Sequence, residues 1–206
     1  MRTAVDFELF SDDCEVIEIP LHDQRVYLIQ KNGSSSLRAQ QQKNNLEIFV
    51  NEQIRNFESV DVYIRAPQSR YVSGVNTYLQ HLQRDHPELD YNTAFWFAKR
   101  YKFLNRHYLP QLHWLANLSR YLNPTAQIHF RDFQTFKNIV DFDSKALVVP
   151  PTEEFIKKLL IDDPGLELWL YLDQILLELV GQSLTWTELL DYYKIKHHDI
   201  IKHVLP

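Results

Sequence analysis

Residues 25–38 read Arg25-Val26-Tyr27-Leu28-Ile29-Gln30-Lys31-Asn32-Gly33-Ser34-Ser35-Ser36-Leu37-Arg38. The unbroken apolar run Val26 to Ile29 predicts a buried strand over 25–30. Asn32-Gly33 is a turn signal, and glycine can enter positive φ with no side-chain penalty. The serines offer N-caps for a helix starting near Leu37. That helix is expected to run to about Phe57, with Asn44-Asn45 as its one candidate break. Ser59 to Arg65 predicts a second strand, in which Val60, Val62 and Ile64 alternate against Asp61 and Tyr63. Pro67 then stands where a first helical turn tolerates proline, and Val72, Val75, Leu79 and Leu82 recur at helical spacing. Residues 25–83 therefore read strand–loop–helix–strand–helix. With the two strands parallel this is a βαβ unit, whose ligand-facing loops lie at the carboxyl ends of the strands.

Outward from this unit the chain reads as mainly helical. Asn92 to Tyr108 is aromatic-rich, and Gln111 to Leu122 predicts a helix stopped by Asn123-Pro124. Ala126 to Phe130 fits a short strand. Thr152 to Leu160 and Leu166 to Val180 fit core helices. Thr185 and Glu188 have capping-box spacing for a last helix. The first 20 residues have room for an extra strand or hairpin. No linker or internal repeat divides the chain, so residues 1–206 are read as one domain.

Composition sets the class. The 206 residues are 45% hydrophobic and 13% aromatic, which suits a globular chain with a sizeable core. A single cysteine, Cys14, excludes an internal disulfide framework. Met1 to Asp6 shows no apolar run behind its positive charge, so no targeting segment is expected. The most apolar stretch, Leu166 to Val180, is too short for a membrane span and is interrupted by Glu167, Asp173 and Glu178. A soluble, cytoplasmic protein is the expectation.

The net charge of −5 hides an asymmetry. Val62 to Arg84 holds Arg65, Arg70 and Arg84 and no acid. Lys99 to Arg131 holds Lys99, Arg100, Lys102, Arg106, Arg120 and Arg131 and no acid. From Asp132 onward, 13 acids face 7 lysines and arginines. A basic middle in an acidic chain points to a local anion site rather than a nucleic-acid surface. A mixture of solvated faces would give the same numbers.

Two constellations would serve such a site. The first is Lys31-Asn32-Gly33-Ser34-Ser35-Ser36, between a strand and a helix start. Gly33 allows close backbone approach, the N–H groups and dipole of the helix start favour an anion, and Lys31 supplies a mobile charge. A plain turn with an N-cap is the competing account. It is not a Walker A loop, which would read G-x-x-x-x-G-K-[ST]. The second is Arg65-Ala66-Pro67-Gln68-Ser69-Arg70-Tyr71-Val72-Ser73-Gly74. Here Arg65 can fork onto a phosphate and Ser73 can add a hydroxyl. A strand-to-helix turn with a surface arginine is the alternative.

Taken together, these motifs resemble the sulfotransferase superfamily, especially its carbohydrate (membrane-type) branch. In that family a Lys-containing small-residue loop holds the 5′-phosphosulfate of 3′-phosphoadenosine 5′-phosphosulfate (PAPS). A later strand ends in Arg-[Asp]-Pro-x-x-Arg-x-x-Ser, which holds the 3′ phosphate. Lys31 to Ser36 matches the first element, and Arg65, Pro67, Arg70, Ser73 and Gly74 match the second. His107-Tyr108-Leu109-Pro110-Gln111 looks like the H-x-x-P-Q stretch of the same branch. The resemblance covers roughly residues 25–135, and the C-terminal third carries no matching motif. The family usually has Asp where this chain has Ala66, and only about 28 residues separate Ser36 from Arg65.

The resemblance implies a P-loop-like three-layer α/β fold: a small central parallel sheet flanked by helices, with a helix-rich C-terminal half. It implies PAPS as sulfuryl donor, a hydroxyl acceptor, most simply a carbohydrate, and no metal. Lys31 would neutralise the leaving phosphate oxygen. Asn32, Gly33, Ser34, Ser35 and Ser36 would hold the 5′ phosphate, and Arg65 and Ser73 the 3′ phosphate. His107 is the candidate general base, against the reading of a helix-end histidine that positions Pro110. His22, His113 and His129 are further candidates. Glu47, Glu52 and the pair His197-His198 read as surface. Trp96, Phe97, Tyr101 and Tyr108 could line an acceptor groove or simply pack a core. Two other functions stay open: a P-loop-like nucleotide or small-molecule kinase, and a non-catalytic nucleotide-binding or scaffold protein on the same fold.

Overall fold

Chain reversal at Pro20–Asp23 sets the first part of the architecture. The computed structural model describes residues 13–29, 32–90, 92–93, 96, 109–140 and 164–197. Strand β1 (Glu15–Ile19) meets a one-turn 3-10 helix at Pro20–His22, and Asp23 takes the left-handed conformation, φ 50° and ψ 46°. The chain therefore returns as β2 (Gln24–Tyr27), antiparallel to β1, because so short a connection cannot join parallel strands. This is the extra hairpin for which the N-terminus has room. The strand expected over 25–30 ends its ladder at Tyr27, although Leu28 and Ile29 remain buried beyond it.

Helix α1 (Ser34–Asn44) follows. The expected continuation to Phe57 does not occur. Asn45 takes left-handed φ 51° and ψ 43°, and its N–H closes back on the Gln41 carbonyl, a polar residue in the conformation that ends helices. Ile48, Phe49 and Val50 then form β3, which pairs antiparallel with the other edge of β1. Their β-branched and aromatic side chains suit a strand better than a helix. Strand β4 (Ser59–Ile64) runs parallel to β2, and helix α2 (Pro67–Asp85) starts with Pro67 in its first turn. Helix α3 covers Gln111–Leu118 and stops four residues before the expected end. Strand β5 (Gln127–Asp132) lies parallel to β4 along its whole length. Helix α4 (Pro164–Glu178), β6 (Ser183–Leu184) and α5 (Trp186–His197) complete the described chain.

The sheet order is β3-β1-β2-β4-β5-β6. The expected small parallel sheet is present as the centre β2, β4 and β5, but β1, β3 and β6 flank it antiparallel, so the sheet as a whole is mixed. Helices flank this open, mixed α/β sheet, and each face has its own core. On one face Val60, Val62 and Ile64 of β4 pack with Leu112, Leu115 and Leu118 of α3, with Leu172, Leu176 and Leu179, and with Tyr193 of α5. On the other, Tyr63 packs with Ile17, Val26, Leu37 of α1 and Phe136. The alternation in Ser59–Ile64 thus separates two buried faces rather than a buried and a wet one. Asp61, on the second face, is buried and accepts from Arg131 Nε at 2.7 Å. Thr185 and Glu188 form the expected reciprocal cap. The Thr185 N–H donates to Glu188 Oε2 at 2.7 Å, and the Glu188 N–H donates to Thr185 Oγ1 at 3.2 Å. Among the described residues no helix is long and apolar enough to cross a membrane.

Candidate anion-binding site

Parallel strands place their carboxyl ends on one side of a sheet, so the segments that follow β2, β4 and β5 emerge together. After β2 the chain reaches Asn32 and Gly33. Gly33 is the N-cap of α1 at φ 82° and ψ 9°. A Cβ at Gly33 would collide with the Phe136 ring, with Cδ1 at 2.7 Å. Phe136 belongs to the 3-10 helix Phe133–Asn138 that follows β5. Both the positive φ and the close approach therefore demand glycine here. After β4 come Arg65 and Ala66, and Ala66 is the N-cap of α2. The Arg65 guanidinium lies 5.3 Å over the Phe133 ring, within cation–π range.

The three serines do not cap α1 as expected; they form its first turn. Gly33, with no side chain, occupies the cap position, and the helix starts three residues earlier than Leu37. Around that turn Ser34 is buried, Ser36 half-buried and Ser35 exposed. They cannot all face one ligand, because successive helical residues point about 100° apart. Ser73 sits half-buried two turns into α2, where its carbonyl accepts from Thr77 Oγ1 at 3.1 Å. Lys31 and His107 lie outside the described residues, as do Phe97, Tyr101, Tyr108, His198 and the helix expected over Thr152–Leu160. Trp96 is described and exposed. His129 sits on β5 opposite Ser183 of β6, and their side chains meet at 2.5 Å.

Gln111 ties the first two segments together. Its Oε1 accepts from the Arg65 N–H at 2.9 Å, and its Nε2 donates to the Arg65 carbonyl at 3.0 Å. The side-chain amide thus pairs with the backbone of Arg65 as a neighbouring strand would. Asn32 Nδ2 donates to the same Oε1 at 2.6 Å and to the Tyr63 carbonyl at 2.7 Å. These partners fix both amide orientations. The Arg65 N–H can only donate, so Gln111 must present oxygen to it and Asn32 must present nitrogen to Gln111. Asn32 Oδ1 is left buried with no hydrogen-bond partner among the described residues.

Behind Gln111 lies a charge that the hydrophobic pattern conceals. Asp173, midway along α4, is 3% exposed. Its Oδ2 accepts from Gln111 Nε2 at 3.3 Å and its Oδ1 from the Leu112 N–H at 3.2 Å. Asp173 therefore serves the N-terminus of α3 from another helix. Arg70, 2% exposed, provides the compensating charge. Burial pulls the Arg70 guanidinium down to about 10; Asp173 opposes that shift and Arg65 adds to it. Burial pushes the Asp173 carboxyl up, against the Arg70 charge and the Gln111 and Leu112 amides. Desolvation also lowers the Arg65 pKa, and the side chain stays cationic at neutral pH. Arg70 lies in the interior, whereas Arg65, for which the alternative was a surface arginine at a strand-to-helix turn, is half-buried. In the sequence, Asp173 served only as an interruption of an apolar run. A lone acid on the buried stripe of a helix was the signal for a buried partner cation.

Neither α1 nor α2 has a side-chain cap or an acid in its first turn, so their N–H groups and dipoles are directed at this side of the sheet. Arg65 stands at the start of α2. By contrast, Asp173 satisfies α3 internally. No protein-family model, curated protein or solved structure matches the chain.

Proposed function

We propose that this protein binds a nucleotide carrying phosphates at both its 3′ and 5′ ends and transfers a sulfuryl group from PAPS to a hydroxyl acceptor, most simply on a carbohydrate. One observation carries the reading: Gln111 joins the Asn32-Gly33 loop to the Arg65 backbone at the carboxyl ends of two adjacent parallel strands. A compound with an anion at each end could reach both segments from one side of the sheet. The donor set suits the group: two helix starts without side-chain caps, an arginine, and serine hydroxyls in the first turn of α1.

In this reading the 5′ phosphate lies at the start of α1, against the N–H groups of Gly33 to Ser36 and the Lys31 ammonium. The 3′ phosphate lies near Arg65 and Ser73. In the transfer, an acceptor oxygen forms a bond to sulfur while the bond from sulfur to the 5′-phosphate oxygen breaks, releasing 3′,5′-adenosine bisphosphate. Lys31 and the helix N-terminus offset charge growing on that leaving oxygen. The acceptor proton passes to a base, for which His107 is the candidate.

Calorimetric titration with 3′,5′-adenosine bisphosphate, with ATP–Mg²⁺ as comparator, tests the reading. The wild-type protein should bind the bisphosphate in preference. Arg65→Ala should lose about 1–3 kcal/mol of that affinity. Equal affinity in the variant, or a preference for ATP–Mg²⁺, rejects the assignment.

A further inference from the structure

We infer that Gln111, backed by Asp173 and Arg70, is a positioning assembly that holds the two anion-binding segments in one fixed relation, so that the site selects ligands charged at both ends over ligands charged at one. The ligand's identity rests on the proposed function; the positioning itself does not. The geometry is specific. One side-chain oxygen of Gln111 accepts from both segments at once, from Arg65 N and from Asn32 Nδ2. Its nitrogen in turn donates to the Arg65 carbonyl and to Asp173. Gln111 therefore has no freedom to turn its amide over without losing bonds on both sides. Asp173 is held by the Leu112 N–H and by its charge interaction with Arg70, which sits five residues beyond Arg65 in the same motif. Asp173 thus forms the inner end of a chain of hydrogen bonds whose outer end is the Arg65 backbone, with the Arg70 charge offsetting its own. Such an arrangement costs desolvation and is a poor way to gain stability alone; its product is a defined spacing between loops.

A rigid spacing lets the second anion bind with its partner loop already placed, so the two ends reinforce each other. Loosening Gln111 should affect a doubly charged ligand more than a singly charged one. The test uses Gln111→Met, which keeps the side chain's length and removes its polar atoms. Backbone amide hydrogen exchange is followed on the full chain without ligand. Exchange should quicken ~10-fold at the Arg65 amide through loss of its acceptor. It should also quicken at the Asn32 and Leu37 amides, which bond to the Ile29 and Gly33 carbonyls, while the Thr185-Glu188 cap keeps wild-type protection. Quickening in only one segment, or in neither, overturns the inference. Should Gln111→Met fail to fold, Asp173→Asn replaces it. That variant keeps an oxygen for the Leu112 N–H but removes the charge paired with Arg70, and the same two segments must respond together.

Affinities for 3′,5′-adenosine bisphosphate and for adenosine 5′-monophosphate give the second measurement. The wild-type preference for the bisphosphate should shrink in Gln111→Met; an unchanged ratio overturns the selectivity. If wild-type protein binds neither nucleotide, the proposed function and the selectivity fall together. The exchange result then decides the positioning alone.

Discussion

Gly33 and Phe136 stand 103 positions apart in the chain, yet each dictates the other. The glycine's φ of 82° favours a residue without a side chain, and the Phe136 ring fills the space a Cβ would need. Gly33→Ala is expected to cost about 1–3 kcal/mol through backbone strain and this collision. Phe136→Leu should relieve part of it, so the double variant should lose less than the sum of the single losses by at least about 0.5 kcal/mol. Urea unfolding of the four proteins measures the cycle, and strict additivity would show that the ring does not press on this loop. The need for glycine at this turn was legible in Asn32-Gly33; the ring pressed against it was not. The same holds for Gln111. Its place in a His-x-x-Pro-Gln stretch marked it for attention, but its two bonds to Arg65 depend on α3 starting beside the carboxyl end of β4. Asp173 was visible only as an oddity in an apolar helix, because a buried charge shows in sequence as an interruption and its partner does not show at all.

Among the elements, the helices at the candidate site are unusual at their starts. Ala66 caps α2 without a side-chain hydrogen bond and is exposed. An aspartate there can accept from the first-turn N–H groups and favours the dipole. Ala66→Asp should therefore raise stability by about 1 kcal/mol, or about 2–4 °C in Tm. Thermal unfolding followed by circular dichroism measures it; an unchanged Tm would mean that the first turn of α2 already has its donors satisfied. Helix boundaries followed the capping chemistry closely where a side chain supplied the cap, as at Thr185 and Glu188. They departed where the backbone supplied it. Gly33 moved the start of α1 forward, and left-handed Asn45 ended that helix before Ile48–Val50 could extend it. An asparagine pair permits a helix to continue or to stop. The vacant edge of β1, a partner more than 25 residues earlier in the chain, decides for the strand.

Over the molecule as a whole, burial on both faces of the sheet also fixes a response to pH. Desolvation pushes the Cys14 thiol up from 9.0 to about 12, and Tyr63, Tyr71 and Tyr193 are raised by burial as well. Each group holds its proton more tightly folded than unfolded. Its contribution is complete below the ordinary value and is lost as pH rises toward the folded one. Stability should hold to about pH 9 and then fall, by about 1.4 kcal/mol per pH unit for each such group. Denaturant midpoints at pH 7.5 and pH 10.5 test the fall. Cys14→Ala should flatten its first part, between pH 9 and 12; an identical slope in that variant would place the onset elsewhere. The same burial makes Cys14 a poor nucleophile in the folded chain.

Local pattern by itself determined the strand, turn and helix of residues 25–44 and the strand–helix pair of residues 59–83, though not β3 between them, because apolar runs, turn residues and helical spacing are written within a few positions of one another. It also determined where anion-favouring chemistry is concentrated. Only the tertiary structure decided that the sheet is mixed, that Arg70 lies inside, and that Gln111 and Asp173 join the two motifs. Those outcomes depend on which distant segments share a face or an edge. Such pairings are set by the burial of the whole chain, which no short stretch can encode.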